Sequence, residues 1–597
     1  MKTFVWPIVI ALLVLTASAV ADEKVVISGE LMTWHRVTLT FDGPEAKEDT
    51  SPNPFLDYRL NVVFSKGDKC YIVPGYYAAD GDAGHTGADE GNKWRVHFAP
   101  DSPGKWSYIV SFRAGSNIAV NTEPGAGSPG LIDGLAGTIE IAATDKKGGD
   151  LRGKGGLQYV GERYLKFAET GEFFLKGGAD SPENFLGYFE FDGTFDTAGL
   201  DRKGEATGEK FIHRYEAHAG DWRDGDPTWQ GGKGKNIIGA LNYLASKGMN
   251  SVYFITYNLD GGDGKDVWPW TRPDEKLRFD CSRLDQWEIV FSHMDRLGIM
   301  MHVLTQETEN DQGLDGGDLG IQRKLYYREL IARFAHHPAI VWNLGEENTN
   351  TDAQRRAFAT YFKSIDPYRH PVVVHTYPRE YDKVYNPLLG YEDFDGASLQ
   401  MNRTGTETHS ETLKWLERSE QRGHKWIVCL DEYGEGENGV KPDADYPSHD
   451  EPRKNCLWAN LMAGGAGCEW YFGYKFAHND LNCEDWRSRD RMWDQTRYAL
   501  EFFREFLPFE RMLPADNLVS AGWCFAEVSQ VYAVYLPDGG TAELDITEGS
   551  FNVGWYNPRT GASLQKGSVE TVTGPGYVKL GTPPADKDND WVILVKK

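Results

Sequence analysis

Eight short apolar segments, separated by amphipathic stretches, occupy the middle of the chain from about residue 173 to about residue 512. Short strands that alternate with helical patterns are typical of parallel β/α units. The predicted strands are Phe173–Lys176, Ser251–Tyr257, Met300–Thr305, Ile340–Leu344, Val372–His375, Ala397–Met401, Trp426–Leu430 and Glu469–Phe472. Eight such units in about 340 residues predict an α/β fold, a (β/α)8 barrel with insertions.

Both flanks of this region have the alternating pattern of β-strands, broken by turns rich in Gly and Asp. Residues 22–145 are predicted to form a β-sandwich, and residues 146–172 a linker. The barrel then spans residues 173–514. Residues 515–597 are predicted to form a second, smaller β-sandwich, in which Pro537–Gly540 forms a hairpin turn. A barrel between two β-domains is therefore the expected architecture.

The first 21 residues combine an early lysine, an apolar run and small residues before Asp22. This pattern predicts a signal peptide that is cleaved near Ala21. The apolar run is shorter than the ~20 residues that a membrane-spanning helix needs, and no later segment is long and apolar enough to span a bilayer. We expect a secreted or periplasmic protein.

The formal net charge is −26. Such a surface repels nucleic acid and anionic membranes, so neither is an expected partner. It also argues weakly against a strongly anionic polysaccharide, although a local basic cleft could override the total charge. The 19 tryptophans exceed what cores alone usually need, and surplus tryptophan favours flat ligands such as sugars. The seven cysteines include no CxxC or Cys/His metal spacing, so no cofactor or metal is predicted. The oligomeric state is not predicted.

Polar and aromatic residues follow nearly every predicted barrel strand. In a parallel barrel these positions meet at the C-terminal face, where active sites form. The candidate residues are Tyr257, Gln306, Glu346, Glu347, His375, Gln400, Asn402, Asp431, Glu432, Tyr433 and Trp470. Two strands that each end in a glutamate are what a two-carboxylate glycosidase requires. Metal binding by the acidic cluster is the main alternative.

At two of these strand ends the chain resembles a known family. Trp342-Asn343-Leu344-Gly345-Glu346-Glu347 is similar to the strand-four signature of clan A glycoside hydrolases, and Cys429-Leu430-Asp431-Glu432-Tyr433-Gly434 is similar to the strand-seven signature. The resemblance implies that Glu347 is the general acid/base and that Glu432 is the nucleophile. It also implies that Trp470, at the end of strand eight, forms the floor of the sugar site.

The flanking regions carry resemblances of their own. Residues 28–113, which include Trp34 and Trp106, resemble an Ig-like module that precedes such barrels. The C-terminal region, with Val534–Gly540 and Trp555–Gly561, is similar to a collagen-binding-type domain that follows glycosidase barrels, including apiosidase-like enzymes. The resemblance thus covers nearly the whole chain after residue 21.

The chain departs from the family pattern at two positions. Glu346 stands where relatives have an asparagine that binds the sugar 2-hydroxyl, so Glu346 could share or take the acid role. On strand six, Gln400 and Asn402 occupy the stretch where relatives carry a tyrosine near the nucleophile. His375 is the candidate partner of Glu432. We expect Glu347 to be protonated near neutral pH and Glu432 to be ionised.

A long insertion between the first two predicted strands should lie on the catalytic face. Trp229, Trp268 and Trp270 are candidate sugar-stacking residues, with packing under their own insertion an equal alternative. Asp221, Asp224 and Asp226 are acidic, but their spacing lacks the full Ca²⁺-loop pattern.

These observations predict a secreted retaining glycoside hydrolase that acts on a polysaccharide or oligosaccharide. Two alternatives remain open. A non-catalytic carbohydrate- or matrix-binding protein would bind glycans without releasing products. A polysaccharide lyase would leave unsaturated product ends, and both the net charge and the glutamate pair count against it. The identity of the sugar, its linkage and the mode of attack depend on loop shape, which the sequence does not define.

Overall fold

A closed barrel of eight parallel strands lies at the centre of the chain, with antiparallel sheets on both sides of it in sequence. The computed structural model describes residues 25–196, 212–259, 264–401, 404–434 and 436–597. The predicted signal peptide and Asn402 lie outside these ranges. The predicted fold class, a (β/α)8 barrel flanked by β-structure, is confirmed.

The N-terminal part contains nine strands in two antiparallel sheets, ordered β1-β2-β6-β5 and β4-β3-β7-β8, with β9 also paired to β7. Its elements are β1 Val25–Gly29, β2 Val37–Lys47, β3 Tyr58–Lys66, β4 Lys69–Pro74, β5 Tyr76–Tyr77, α1 Ala83–Thr86, β6 Glu90–Phe98, β7 Gly104–Ala114, β8 Ser128–Pro129, β9 Ala136–Ile141 and α2 Leu151–Lys154. Alternate residues face inward; Phe64 and Phe98, for example, stack at 4.0 Å between ring centroids. This alternation is the period-two pattern of the sequence.

A short hairpin, β10 Leu157–Gln158 and β11 Lys166–Phe167, leads into the barrel. The barrel strands are β12 Lys176–Ala179, β13 Ser251–Ile255, β14 Met300–Leu304, β15 Ile340–Asn343, β16 Val372–Thr376, β17 Gly396–Met401, β18 Ile427–Tyr433 and β19 Gly467–Trp470. Parallel pairing of β12 with β19 closes the ring. The strands are buried on both faces, which explains their nearly continuous apolar sequences.

The first barrel strand lies three residues later than the sequence predicts. The apolar run Phe173–Leu175 precedes the strand, and Phe174 packs edge-on against Phe167 at 5.9 Å. The strand itself contains Gly178, where a Cβ atom would lie 2.0 Å from the carbonyl oxygen of Ser251. Glycine is required by this close approach, and a glycine-rich strand gives no β signal in the sequence.

Helices surround the barrel and complete the β/α units. They are α3 Lys235–Ser246, α4 Cys281–Leu297, α5 Ile321–Phe334, α6 Asp352–Ile365, α7 Tyr381–Tyr385, α8 Thr408–Gln421, α9 Ala459–Met462, which continues a π-helical segment Pro452–Trp458, and α10 Asp490–Phe506. Helix α6 begins with a capping box, in which Thr351 and Gln354 satisfy each other's backbone amides. The capping box thereby fixes the start of α6, a few residues after Glu346 and Glu347 at the end of β15.

The C-terminal strands form one antiparallel sheet in the order β20-β21-β22-β25-β23-β24. They are β20 Leu513–Pro514, β21 Trp523–Glu527, β22 Val531–Leu536, β23 Glu543–Tyr556, β24 Thr571–Lys579 and β25 Trp591–Lys596. The sequence predicts two strands within the span of β23, but the structure shows one long strand whose register shifts between Ile546 and Gly549. Some buried residues of this sheet form a core of their own, whereas others, including Tyr535 and Tyr556, pack in the same cluster as the barrel.

Across the described ranges, no helix has both the length and the apolar character that crossing a membrane requires. All seven cysteines fall within those ranges, and each is a free thiol. Cys70 is exposed on β4, and the other six are buried.

Candidate active site

The segment after β15 holds two adjacent carboxylates over the mouth of the barrel. The Glu346 amide donates to the carbonyl of Gln306 (2.9 Å), and the Asn348 amide donates to the carbonyl of His375 (3.1 Å). The segment is therefore tied to the ends of both neighbouring strands. Glu347 has a φ of 37°, in the left-handed region that is costly for a residue with a side chain. Strain of this kind concentrates at functional sites.

A β-bulge in β18 brings a third carboxylate to the mouth. The register between β17 and β18 shifts, so that Gln400 pairs with Glu432 and Asp431 has no partner on β17. Both acids consequently face the barrel interior. Asp431 contacts Lys176 within the barrel, and Glu432 points to His375 at the mouth. Bulges often re-aim side chains beside active sites.

Two side chains join the three glutamates into one cluster. Gln400 Nε2 donates to Glu347 Oε1 (2.9 Å) and to Glu432 Oε2 (2.6 Å). His375 Nε2 lies 3.1 Å from Glu346 Oε1 and 3.2 Å from Glu432 Oε2. The structure therefore brings Glu346, Glu347, His375 and Glu432 together, as the strand-end reading predicts. The bridging role of Gln400 is not evident from the sequence.

Burial raises the acid pKa values throughout this cluster. Burial and then the charge of Glu432 raise the pKa of Glu347 to about 7. Burial also raises the pKa of Glu432, although its hydrogen bond from Gln400 opposes the shift. The pKa of Glu346 lies well above its ordinary value because of burial and the neighbouring glutamates. Simultaneous ionisation of all three glutamates is therefore unfavourable. The raised pKa of Glu432 differs from the expectation that this residue is ionised near neutral pH.

Burial also keeps the imidazole of the cluster neutral, because it lowers the pKa of His375 to about 4. The other ring nitrogen, Nδ1, lies 3.2 Å from the hydroxyl of Ser398 on the adjacent strand. The ring is fully buried. His375 is therefore a fixed, neutral contact between Glu346 and Glu432.

Two more carboxylates, Asp180 and Glu183, follow the first barrel strand and are buried. Burial and then the charges of Glu432 and Glu346 raise the pKa of Asp180 well above its usual range. Neither carboxylate oxygen of Asp180 has a hydrogen-bond partner among the described residues. Asp180 is not among the residues predicted from the sequence, because the predicted first strand ends at Lys176. An unpaired buried carboxylate at this position can accept hydrogen bonds from substrate hydroxyls.

The side chain of Gln306 is engaged within the protein. Its Nε2 donates to Asn350 Oδ1 (2.8 Å) and also contacts Asp311. Its Oε1 accepts a hydrogen bond from Arg323. Gln306 supports the site through its backbone carbonyl, which accepts the Glu346 amide, and both hydrogens of its side-chain amide are already donated within the protein.

Trp470, the predicted floor of the sugar site at the end of β19, points away from the mouth of the barrel. The indole nitrogen of Trp470 donates to Thr496 Oγ1 (2.8 Å) on α10, so Trp470 faces the helix layer. Tyr471 is the neighbour that interacts electrostatically with Glu432, and its hydroxyl donates to the carbonyl of Gly436 (3.2 Å). Successive strand residues point to opposite faces, so Tyr471, and not Trp470, points toward Glu432 at this strand.

The predicted stacking tryptophans lie in the interior of the loops that carry them, Trp229 after β12 and both Trp268 and Trp270 after β13. Trp229 stacks on Phe191 with 5.3 Å between ring centroids, and its indole nitrogen donates to the carbonyl of Glu190 (3.0 Å). Trp268 and Trp270 are likewise buried. Their burial supports the packing alternative, since a sugar platform needs one open ring face.

The two predicted tyrosines pack against neighbouring segments of the chain. Tyr257 packs edge-on against Trp270 at 4.8 Å. Tyr433 is hydrogen-bonded to Glu451, next to the π-helical segment. Both residues therefore pack in the walls around the mouth.

The aspartates of the insertion make protein contacts. Asp221 binds Arg487 and lies 3.0 Å from His218, and Asp226 accepts a hydrogen bond from Asn242 Nδ2 (2.6 Å). The carboxylates of Asp221 and Asp226 thus take part in folding the insertion onto α3. Four groups of histidine and carboxylate side chains in the described part of the chain could hold a metal, and the one at the mouth is Glu346, His375 and Glu432, whose ligand atoms lie within 4.8 Å of one another. Carboxylate and imidazole ligands suit Zn²⁺ or Mn²⁺, so metal binding remains the alternative chemistry.

The barrel and its flanking sheets define the class of fold, which is that of glycoside hydrolases of known structure. The chain resembles a structure described as a "putative glycoside hydrolase" from Bacteroides vulgatus at 15% identity, with a TM-score of 0.57 over 95% of this chain and 99% of that one. It also resembles a family 5 glycoside hydrolase from the same organism at 16% identity, with a TM-score of 0.53 over 74% of this chain and 94% of that one.

The two flanks match described families. Residues 30–113 match a domain of unknown function, DUF5060, and residues 511–596 match the family described as "putative collagen-binding domain of a collagenase". The predicted collagen-binding-type domain is thereby confirmed, and the N-terminal match is consistent with the predicted sandwich. A search of curated protein sequences finds no match to the chain.

Proposed function

We propose that the protein is an exported retaining glycoside hydrolase that cleaves a poly- or oligosaccharide, with Glu347 as acid/base and Glu432 as nucleophile. The observation that carries this proposal is the bridge formed by Gln400, whose single amide nitrogen lies 2.9 Å from Glu347 and 2.6 Å from Glu432. Two carboxylates held this close across a barrel mouth are the minimal equipment for glycoside cleavage.

The bridge also favours retention over inversion. Glu347 Oε1 and Glu432 Oε2 accept hydrogen bonds from the same nitrogen, so the distance between these two oxygens cannot exceed the sum of the two hydrogen-bond lengths. Retaining glycosidases hold their carboxyl groups about 5–5.5 Å apart, whereas inverting enzymes need about 6.5–9.5 Å to accommodate a water molecule. The Glu347–Glu432 pair fits the shorter separation.

Each step of the reaction follows from the surroundings of the two acids. Glu347, with a pKa of about 7, is a proton donor near neutral pH and can protonate the departing oxygen. Glu432 Oε2, held by Gln400, attacks the anomeric carbon and forms a glycosyl-enzyme ester. Glu347, now ionised, removes a proton from water, which attacks the same carbon and releases Glu432. Hydrogen bonds from sugar hydroxyls, added to the bond from Gln400, favour the charged form of Glu432.

Defined plant and algal polysaccharides provide the first test, with released oligosaccharides as the readout. Glu432→Gln and Glu347→Gln should each abolish turnover while the variants still unfold in a cooperative thermal transition. Proton NMR of the first-formed product should show the anomeric configuration of the substrate. Near-normal turnover by Glu432→Gln on the true substrate would refute the assignment.

The alternatives give different products. Unsaturated ends would identify a lyase, and binding without any product would identify a carbohydrate-binding protein. If Glu346, His375 and Glu432 held a catalytic metal, a chelator such as EDTA would abolish activity and added metal would restore it. We expect activity to survive dialysis against EDTA, because double displacement needs only the two carboxylates.

A further inference from the structure

A cavity of about 180 Å³ lies directly beside Glu347. It is lined by the end of β16 and the segment that follows, including Thr376, Tyr377 and Arg379, and Glu432 and His375 do not line it. The Tyr377 side chain interacts electrostatically with Glu347, because burial and then the charge of Glu347 raise the pKa of Tyr377, and this interaction connects the cavity to the proposed acid. The space therefore adjoins the acid/base and not the nucleophile.

The wall of this cavity carries polar groups that have no partner. Thr376 is fully buried, and its Oγ1 has no hydrogen-bond partner within the described part of the chain. Arg355 is also buried, and its Nε is unpartnered in the same way. Buried polar atoms are rarely left unsatisfied without a reason. Both atoms belong to residues that line the space beside Glu347, as expected for a built binding site.

Of the three cationic side chains that line the cavity, two form ion pairs with carboxylates. Lys383 pairs with Glu380 at 2.7 Å, and Arg355 pairs with Asp352 at 2.6 Å. Among the described residues, no ion pair or hydrogen bond involves the Arg379 side chain, which is exposed at the rim. Its guanidinium carbon lies 4.9 Å from the centroid of the Tyr377 ring, in a stacked position that limits its motion. A guanidinium fixed in this way suits a carboxylate or sulfate, which it can bind through two parallel hydrogen bonds.

We propose that this cavity is the leaving-group subsite and that Arg379 binds an anionic substituent, a carboxylate or a sulfate, on the departing sugar unit. The assignment as a leaving-group subsite rests on the proposed function, since the leaving oxygen must face Glu347. Across the barrel from β16, after the end of β12, Asp180 and Glu183 are buried carboxylates. The preferred substrate therefore places a neutral unit over Glu432 and an anionic unit over Arg379.

A binding experiment tests the anion site without turnover. NMR titrations with glucuronate, glucose 6-sulfate and glucose would compare the wild type with Arg379→Ala and Arg379→Lys. We expect at least one anion to bind the wild type, and Arg379→Ala to weaken that binding about tenfold. Arg379→Lys should restore part of it, and glucose should bind more weakly and be indifferent to the substitution. The matched control is Arg422→Ala, an exposed arginine at the C-terminus of α8.

The two anions distinguish the source of the charge, since preference for one identifies either a uronate or a sulfated substrate. If neither anion binds more tightly than glucose, or if Arg379→Ala and Arg422→Ala behave alike, the anion site is refuted.

A turnover experiment tests the subsite assignment. Aryl glycosides of the preferred sugar would carry either a 4-nitrophenyl or a 3-carboxy-4-nitrophenyl leaving group. Arg379→Ala should lower kcat/KM for the carboxylated substrate about tenfold more than for the neutral one. An unchanged ratio refutes the leaving-group assignment. If the wild type binds the anions through Arg379 but cleaves no glycoside, the catalytic proposal fails while the anion site stands.

Discussion

At the scale of single residues, the site depends on a neutral amide between two acids. Gln400 Nε2 donates to both Glu347 and Glu432 and so opposes the effect of burial on their pKa values. A charged donor in its place would favour ionisation of both acids, whereas an amide leaves one of them able to keep its proton. Gln400 therefore sets both the spacing of the acids and their protonation.

Gln400→Met tests this role, because methionine has a similar length and no donor. Hydrogen bonds to charged groups contribute about 1.5–3 kcal/mol, so kcat should fall about tenfold to a hundredfold. The basic limb of the pH–rate profile should also move upward, since both acids lose a donor to their charged forms. Gln421→Met, an exposed change at the end of α8, should alter neither quantity. Unchanged kcat in Gln400→Met would contradict the assigned role.

Glu347 lowers the stability of the fold at high pH. Its pKa rises from an ordinary 4.5 to about 7 on folding, so between these values the folded protein holds a proton that the unfolded chain has released. Stability therefore falls as the pH rises through this window, by up to about 3 kcal/mol. Glu347→Gln removes the effect and should raise Tm relative to the wild type at about pH 8, but much less at about pH 4. The exposed Glu417→Gln is the control, and an equal gain at both pH values would contradict the explanation.

At the scale of elements, a buried ionic network connects the barrel strands below the active site. Lys176 on β12 contacts Asp431 on β18 and lies 3.0 Å from Glu469 Oε2 on β19. His302 on β14 lies 2.8 Å from the same carboxylate oxygen. Asp431 directly precedes Glu432, so the network anchors the bulge that aims the proposed nucleophile.

Lys176→Met should destabilise the protein by about 3–5 kcal/mol, because it leaves two buried carboxylates without their cation. Lys425→Met, which breaks a surface pair with Glu162, should cost about 0–1 kcal/mol. Chemical denaturation provides the comparison. Similar losses in the two variants would show that the network does not stabilise the barrel.

The sequence predicts most of the barrel because most of its strands are largely apolar, a signal that comes directly from burial on both faces. It misplaces β12, where close packing requires glycine in place of β-forming residues. The sequence identifies Glu346, Glu347, Glu432 and His375, because a side chain that points inward from the C-terminal end of a barrel strand reaches the mouth of the barrel. It misses the orientation of Trp470 and the bridge from Gln400, because these depend on strand parity and on a bulge that local sequence does not encode.

At the scale of the whole molecule, both flanking β-regions are docked on the barrel by buried arginines. Arg328 on α5 donates to the carbonyl of Leu60 (2.7 Å) in the N-terminal part. Arg453, before α9, holds Asp590 in the C-terminal sheet through two hydrogen bonds of 2.9 Å. The three parts should therefore unfold together, because each interface contains buried charge that separation would expose.

Arg453→Met tests this coupling. Loss of the arginine leaves Asp590 buried without its main cation, which should cost about 3–5 kcal/mol at that interface. Differential scanning calorimetry should show one transition for the wild type and an earlier, separate transition of the C-terminal sheet in the variant. Arg559 also contacts Asp590, at 3.5 Å, so Arg559→Met should have a smaller effect. A single unshifted transition in Arg453→Met would contradict the coupling.

The distribution of thiols bears on how the chain could tolerate an oxidising compartment. Six of the seven cysteines are buried and unpaired, and burial raises the pKa of each of their thiols. The thiolate is the reactive form, so these sulfurs are shielded from exchange without being locked in disulfides. Ellman's reagent should titrate only Cys70 in the native protein and all seven thiols in denaturant. Redox chemistry would then report directly on folding, because a folded molecule offers only Cys70 for an intermolecular disulfide, whereas an unfolded one exposes all seven thiols to random cross-linking.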